Sequence, residues 1–210
     1  TAPNTDAAPQ YSGDVLYRLL RDSGMPTTVS LIEGEVSDDG PYKAFAAHLR
    51  TLGTRIFQLP NVEVGTHTYT HPLQWMRVTG LGVSSTKDVQ TEGGSQVNKD
   101  GLSIDIPGYR FSIDREIEGS IDFIDRQIAP ANKPVSMVLW SGDCQVPAPV
   151  LKAAYDAGVL NLNGGDTLIT KSYPSWTAIA PLGVMKGGYY QVFAPNQNEE
   201  LYTCLLYTSD

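Results

Sequence analysis

The chain has 210 residues, 41% of them apolar and 18% charged, with a formal net charge of −8. That is one domain or most of one, with enough apolar content for a real core. The acidic excess argues against nucleic acid or an anionic membrane as main partner, and no run of about 18 apolar residues predicts a membrane span.

The first 11 residues are rich in Pro, Ala and polar side chains and read as a loop. Ser12 caps a predicted helix that runs to about Ser23. Val15, Leu16, Leu19 and Leu20 form its expected buried stripe, and Gly24 ends it. Residues 27–32 are β-branched and nearly all apolar, as in a buried parallel strand, and Glu33-Gly34-Glu35 follows at the strand's end. A second helix is expected over 42–57, with Pro41 in its first turn. His48 lies on that helix and reads as a surface or packing residue.

Residues 62–64 predict a second strand, and residues 73–108 form a long irregular stretch of the kind that is functional or poorly ordered. Ser112 then caps a strongly periodic helix, with Ile113, Ile117, Ile121, Ile124 and Ile128 on one face and Pro130 as its stop. A strand over 135–140 runs into Ser141-Gly142-Asp143-Cys144. Pro147 opens a short helix, Gly158 closes it, and Val159-Leu160 leads into a turn that carries Asn161, Asn163 and Asp166. Further short strands are expected over 178–182 and 189–193. The two cysteines, Cys144 and Cys204, are too few for a disulfide framework. The alternation of helix and strand predicts a parallel sheet with right-handed crossovers, either a barrel or an open doubly wound sheet.

The most informative stretch is Val62-Glu63-Val64-Gly65-Thr66-His67-Thr68-Tyr69-Thr70-His71-Pro72. In an extended strand, residues four apart lie roughly 13 Å from each other. A shared metal needs both ring nitrogens at about 2.0–2.1 Å, so a straight strand cannot present both. A continuing helix would, but Pro72 disfavours the α region for His71. What remains is a strand ending at Val64 or Gly65, then one tight turn that swings both imidazoles to the same point. Two ordinary loop histidines are the alternative.

In parallel α/β architectures the working residues gather at the C-terminal ends of strands. Glu33 and Glu35, His67 and His71, Ser141 and Asp143, and Asn161, Asn163 and Asp166 each follow a predicted strand. Singly, each has a plainer reading as a solvated carboxylate, a turn or a helix cap. Together they point to a metal-dependent active site on one rim.

His67-Thr68-Tyr69-Thr70-His71-Pro72 resembles the second motif of the polysaccharide deacetylase (NodB-homology) family, His-(Ser/Thr)-x-x-His. The segments VSLIEGEV, RIFQLPNVEVGTHTYTHP, REIEGSIDFI, WSGDC, AGVLNLNGGDT, APLGV and YQVFAPNQNE are similar to the deacetylase domain of Pel-type exopolysaccharide modification proteins, over roughly residues 12–203. The resemblance implies a distorted (β/α) barrel, a divalent metal such as zinc, and hydrolytic removal of N-acetyl groups from a hexosamine exopolysaccharide of the kind found in biofilms. It also implies a periplasmic or secreted location.

The resemblance makes His67 and His71 metal ligands and Thr68 a brace that hydrogen-bonds within their turn. Asp143 is assigned to catalysis, and Glu33, Glu35, Trp140, Asn163 and Asp166 to contacts with the substrate. For Trp140, a sugar-stacking face and a plain core position both stay open. The family's metal-binding Asp and its base should lie just before the first helix, where residues 1–11 offer only Asp6 and no preceding strand. The family's late histidine has no counterpart either, since no histidine follows His71. Residues 204–210 are similar to translated sequencing-adapter sequence. The expectation is therefore a partial deacetylase domain over residues 1–203, first strand missing and inactive as given. Its alternative is a non-catalytic polysaccharide-binding domain, with a hydrolase of another amide more distant.

Overall fold

The structure is a computed structural model that describes residues 12–82, 102–162 and 182–194. In chain order the elements are α1 (Ser12–Ser23), β1 (Thr27–Leu31), α2 (Glu33–Val36), α3 (Ala46–Phe57), β2 (Val62–Thr66), α4 (Trp75–Val78), α5 (Ile113–Glu116), α6 (Glu118–Gln127), β3 (Met137–Leu139), α7 (Ala148–Asp156), β4 (Leu160–Leu162), β5 (Leu182–Lys186) and β6 (Tyr189–Phe193). The first four strands form a parallel sheet in the order β1-β2-β3-β4, and β5 and β6 form an antiparallel hairpin. Leu31 pairs with Thr66, Gly65 with Met137, and Met137 with Leu160, so the C-terminal ends of β1, β2 and β3 are in step. The chain is thus a mixed α/β fold whose parallel strands follow sequence order without a reversal.

Alternation along the strands separates the sheet's two faces. Val29, Leu31, Val62 and Val64 pack with Leu52, Ile56 and Phe57 of α3 and with Ile124 of α6. Val138 and Trp140 pack with Val150, Leu151 and Ala154 of α7. Ile121 touches both clusters and joins them. Ile117, Ile124 and Ile128 are all but fully buried, each worth about 1.5–3 kcal/mol of burial. The isoleucine stripe therefore positions α5 and α6 across the back of the sheet. The opposite face carries Thr28, whose hydroxyl donates to Glu63 at 2.6 Å, and Leu160, which is 66% exposed.

Several boundaries differ from the sequence expectation. The helix expected over 42–57 starts at Ala46, because residues 41–45 fold as turns. The helix led by Ser112 is split at Ile117 (φ −99°, ψ −77°) into α5 and α6, with the Ser112 hydroxyl accepting from the Arg115 N–H. The stripe expected on α1 is not buried: Val15, Leu16 and Leu19 are exposed and only Leu20 enters the core. α1 instead meets α3 through its other face, where Arg55 pairs with Asp14 and lies over the Tyr17 ring. The strand expected over 178–182 lies outside the described residues except for Leu182, where β5 begins. No described helix is long and apolar enough to cross a membrane.

Candidate metal centre at the end of strand β2

β2 ends at Thr66, and the chain then makes a compact turn through Pro72. Thr68 (φ 70°) and His71 (φ 53°) both occupy the left-handed region. That region is unfavourable for a β-branched residue and persists only where the surroundings over-determine it. His71 precedes Pro72, which disfavours the right-handed α region and favours extended backbone; its positive φ is neither, and adds to the strain of the turn. The two kinks turn the strand end back on itself and bring the His67 and His71 rings to 4.8 Å between centroids, tilted by 49°.

The turn is held through its backbone, which is nearly fully accounted for. The His67 N–H donates to Leu31 O at 2.9 Å, and the Thr68 N–H to Thr66 Oγ1 at 3.1 Å. The Tyr69 and Thr70 N–H groups both donate to Glu116 Oε2, at 3.0 and 2.9 Å. The carbonyls of Thr68, Tyr69 and Thr70 accept from the N–H groups of Glu33, Gly34 and Ile104. On the far side the Ser141 hydroxyl donates to Pro72 O at 2.7 Å, and the Asp143 N–H donates to Leu73 O at 2.9 Å. Two glycines permit these approaches. A Cβ on Gly34 would stand 2.7 Å from Tyr69 O, and one on Gly142 (φ 59°) would run into the Leu73 backbone.

Burial disfavours the charged form of both imidazoles. Burial, with a smaller contribution from His71, pulls His67 down from its ordinary value to about 4, and burial lowers His71 as well. His67 Nδ1 lies 2.7 Å from Leu139 O; as an N–H donor to that carbonyl it leaves Nε2 with the lone pair. Such a second hydrogen bond is how metal-binding histidines are oriented. The Thr68 hydroxyl, in the turn that joins the two histidines, is fully buried and finds no hydrogen-bond partner among the described residues. A strained turn, an orphan hydroxyl and two neutral rings fit two ligands of a metal ion. Among the described residues no third His, Cys, Asp or Glu joins them.

The other sequence-assigned residues fall differently. Glu33 is 1% exposed and forms a bidentate ion pair with Arg115, whose guanidinium also lies 3.7 Å over the Tyr69 ring. Its assignment to substrate contact is corrected: both oxygens are committed and out of reach. Burial pulls Glu33 up and Arg115 pulls it back, while the same contact holds Arg115 above its ordinary value. Glu35 is half-buried, and burial raises its carboxyl.

Of the two readings left open for it, Trp140 takes the core position. It is fully buried, donates Nε1–H to Asn161 Oδ1 at 3.0 Å and stands edge-on to Trp75, so no face is open to a sugar. Thr68 hydrogen-bonds in the turn through its backbone N–H and carbonyl, while its hydroxyl finds no partner among the described residues; the Thr66 hydroxyl and the Glu116 carboxylate receive the turn's N–H groups. Asp143 is half-buried, and its Oδ1 accepts from the N–H groups of Trp75 and Gln145 at 3.3 and 3.0 Å, a loop-organising role. Asn163 and Asp166 lie outside the described residues.

The residue that sequence reading missed is Glu116. It is fully buried, and its carboxylate gathers four donors: the two turn N–H groups, the Thr70 hydroxyl at 2.6 Å and the Tyr109 hydroxyl at 2.9 Å. Burial pushes its carboxyl up, against the pull of these hydrogen bonds. In the sequence it looks like an ordinary acidic residue in a helix's first turn. The hint was its place beside Ile117 of the buried stripe. A cleft of about 400 Å³ opens nearby, lined by Arg77, Val78, Ile104, Tyr109, Arg110 and Phe111 among others.

Comparisons with protein-family models, with curated proteins and with solved structures returned no match.

Proposed function

We propose that this chain carries part of the active site of a metal-dependent hydrolase that removes N-acetyl groups from a hexosamine polysaccharide. The observation that carries the reading is the convergence of two neutral imidazoles, 4.8 Å apart, in a strained turn at the C-terminal end of a parallel strand. The resemblance of His67-Thr68-Tyr69-Thr70-His71 to the polysaccharide deacetylase motif supplies the substrate class. Strand order without a reversal agrees with a segment of a (β/α) barrel, in which successive strands are neighbours and strand ends share one rim.

In this reading His67 and His71 hold a divalent metal such as zinc, and a further donor comes from outside the described residues. When bound, the metal would polarise the acetamide carbonyl and lower the pKa of a water. His67 keeps Nδ1–H on Leu139 O, which fixes its ring plane. The neutral state of both rings removes competition from protons near pH 7. Glu35, half-buried in α2 just past β1, and Asp143, half-buried just past β3, are the described carboxylates of this rim proposed for substrate or proton handling. An exopolysaccharide substrate would place the protein in the periplasm or outside the cell.

Zinc titration of the protein against His67→Ala and His71→Ala tests the reading. One site per chain, lost in either variant, is expected; zinc binding that survives both substitutions would overturn it. Since the chain is expected to be inactive as given, binding separates the readings: N-acetylated hexosamine oligomers that bind only with zinc and not to His67→Ala support the metal-dependent site, and binding that needs neither supports a non-catalytic polysaccharide-binding domain.

A further inference from the structure

The two histidines are not held alike. His67 is anchored twice to the sheet, by its N–H on Leu31 O and its Nδ1 on Leu139 O. The His71 ring is hydrogen-bonded to its own residue's backbone, and no bond from it to another described residue anchors it to the sheet. Its position therefore depends on the backbone between the two residues. That backbone is pinned at its centre by Glu116, which takes the Tyr69 and Thr70 N–H groups on Oε2 and the Thr70 hydroxyl on Oε1.

We infer that Glu116 is the positioning residue of the histidine pair: it sets the separation of the two imidazoles by clamping Tyr69 and Thr70, two of the three residues between them. The inference rests on the metal reading above and deepens it. Glu116 suits the task because it is itself immobile. It is fully buried at the end of α5, next to Ile117 of the core, and Tyr109 fills the remaining lone-pair direction of Oε1. Without the carboxylate, two buried N–H groups and the Thr70 hydroxyl lose their acceptor, while Tyr109 keeps a contact with Ser112 O. The turn is then drawn open toward water at Tyr69 and Thr70, against the bonds that remain at the Thr68 N–H and at the Thr68, Tyr69 and Thr70 carbonyls. Opening moves His71 away from His67, which the sheet retains.

The clamp is one of position rather than charge, and side-chain chemistry can separate the two. A glutamine can offer its oxygen to the two N–H groups and its amide to the two hydroxyls, which rotate to accept. An aspartate keeps the charge but is one methylene short. A positional clamp therefore ranks Gln close to wild type with Asp and Ala far below. A charge effect would rank Asp above Gln.

The experiment measures zinc affinity by chelator competition, and amide hydrogen exchange at Tyr69 and Thr70, on the wild-type protein and on Glu116→Gln, Glu116→Asp and Glu116→Ala. Gln is expected within about threefold of wild type. Asp and Ala are expected to bind about 10–100-fold more weakly, the usual effect of losing a group that supports a ligand, with Tyr69 and Thr70 exchanging at least about tenfold faster while Val64 in β2 keeps its protection. Should the Ala variant fail to fold, the Gln–Asp ranking carries the result. Wild-type affinity and protection in Asp or Ala would overturn the inference, as would Gln falling as far as Asp. If the wild-type protein binds no zinc, the metal reading fails by itself. The exchange data then still decide whether Glu116 holds the turn.

Discussion

Two carboxylates are buried on either side of the histidine turn, and they are stabilised in opposite ways. Glu33 meets a full positive charge, the guanidinium of Arg115, which is itself 35% exposed. Among the described residues Glu116 forms no ion pair; four N–H and O–H donors surround its fully buried side chain. The first arrangement retains a path to water through Arg115. In the second the Tyr69 and Thr70 N–H groups and the Thr70 hydroxyl are buried and depend on one side chain, and only half-buried Tyr109 has a further partner, Ser112. The difference locates the turn's expected weak point at the carboxylate held by uncharged donors rather than at the ion pair.

The largest expected effect comes from breaking the sealed side. Glu116→Ala should cost about 3–5 kcal/mol in urea denaturation, the scale for leaving buried polar groups without their charged partner. A loss below about 1 kcal/mol would place the clamp among ordinary surface interactions.

Acidification tests the turn from the histidine side. Because His67 sits at about 4 when folded and near 6.5 when unfolded, the unfolded chain takes up its proton first. Stability from this residue is therefore complete above about pH 6.5 and declines as pH falls toward 4. The gap corresponds to on the order of 3 kcal/mol. An NMR titration should show the His67 ring still neutral at pH 5; a midpoint near 6.5 would mean the ring is solvated. His67→Asn should flatten the stability profile over that interval.

The ion-pair side should give less. Glu33→Ala frees a guanidinium that can reach water, so a loss of about 1–3 kcal/mol is expected, smaller than for Glu116→Ala in the same assay. A reversal of that order would abolish the contrast between the two sides. The smallest effect is expected at Thr68→Val, which keeps the shape and removes the orphan hydroxyl. Stability should stay within about 1 kcal/mol of wild type or rise slightly, whereas a loss above about 2 kcal/mol would reveal a partner for that hydroxyl.

Much of the scaffold was legible from local pattern. The 12–23 helix, the 27–31 strand, the isoleucine stripe and the 189–193 strand follow from periodicity and from Gly and Pro punctuation. The histidine turn was legible from two residues and a proline, because spacing and the pre-proline restriction left one geometry that brings the rings together. Periodicity did not reveal which face of α1 is covered: Val15, Leu16 and Leu19 make a regular stripe, yet α3 meets the other side. Nor could it show Trp140 as core or Glu33 as half of an ion pair, since each depends on a partner far along the chain.

The sequence by itself determined the alternation of strands and helices and the placing of polar residues at strand ends, because these are properties of a few neighbouring residues. Only the tertiary structure decided which of those polar groups are occupied in holding the fold. Glu116 reaches Tyr69 and Thr70 across 46–47 residues, and Arg115 reaches Glu33 across 82. Hydrogen bonding and desolvation act through space, so the same glutamate reads as a solvated charge in the sequence and as the turn's clamp in the fold.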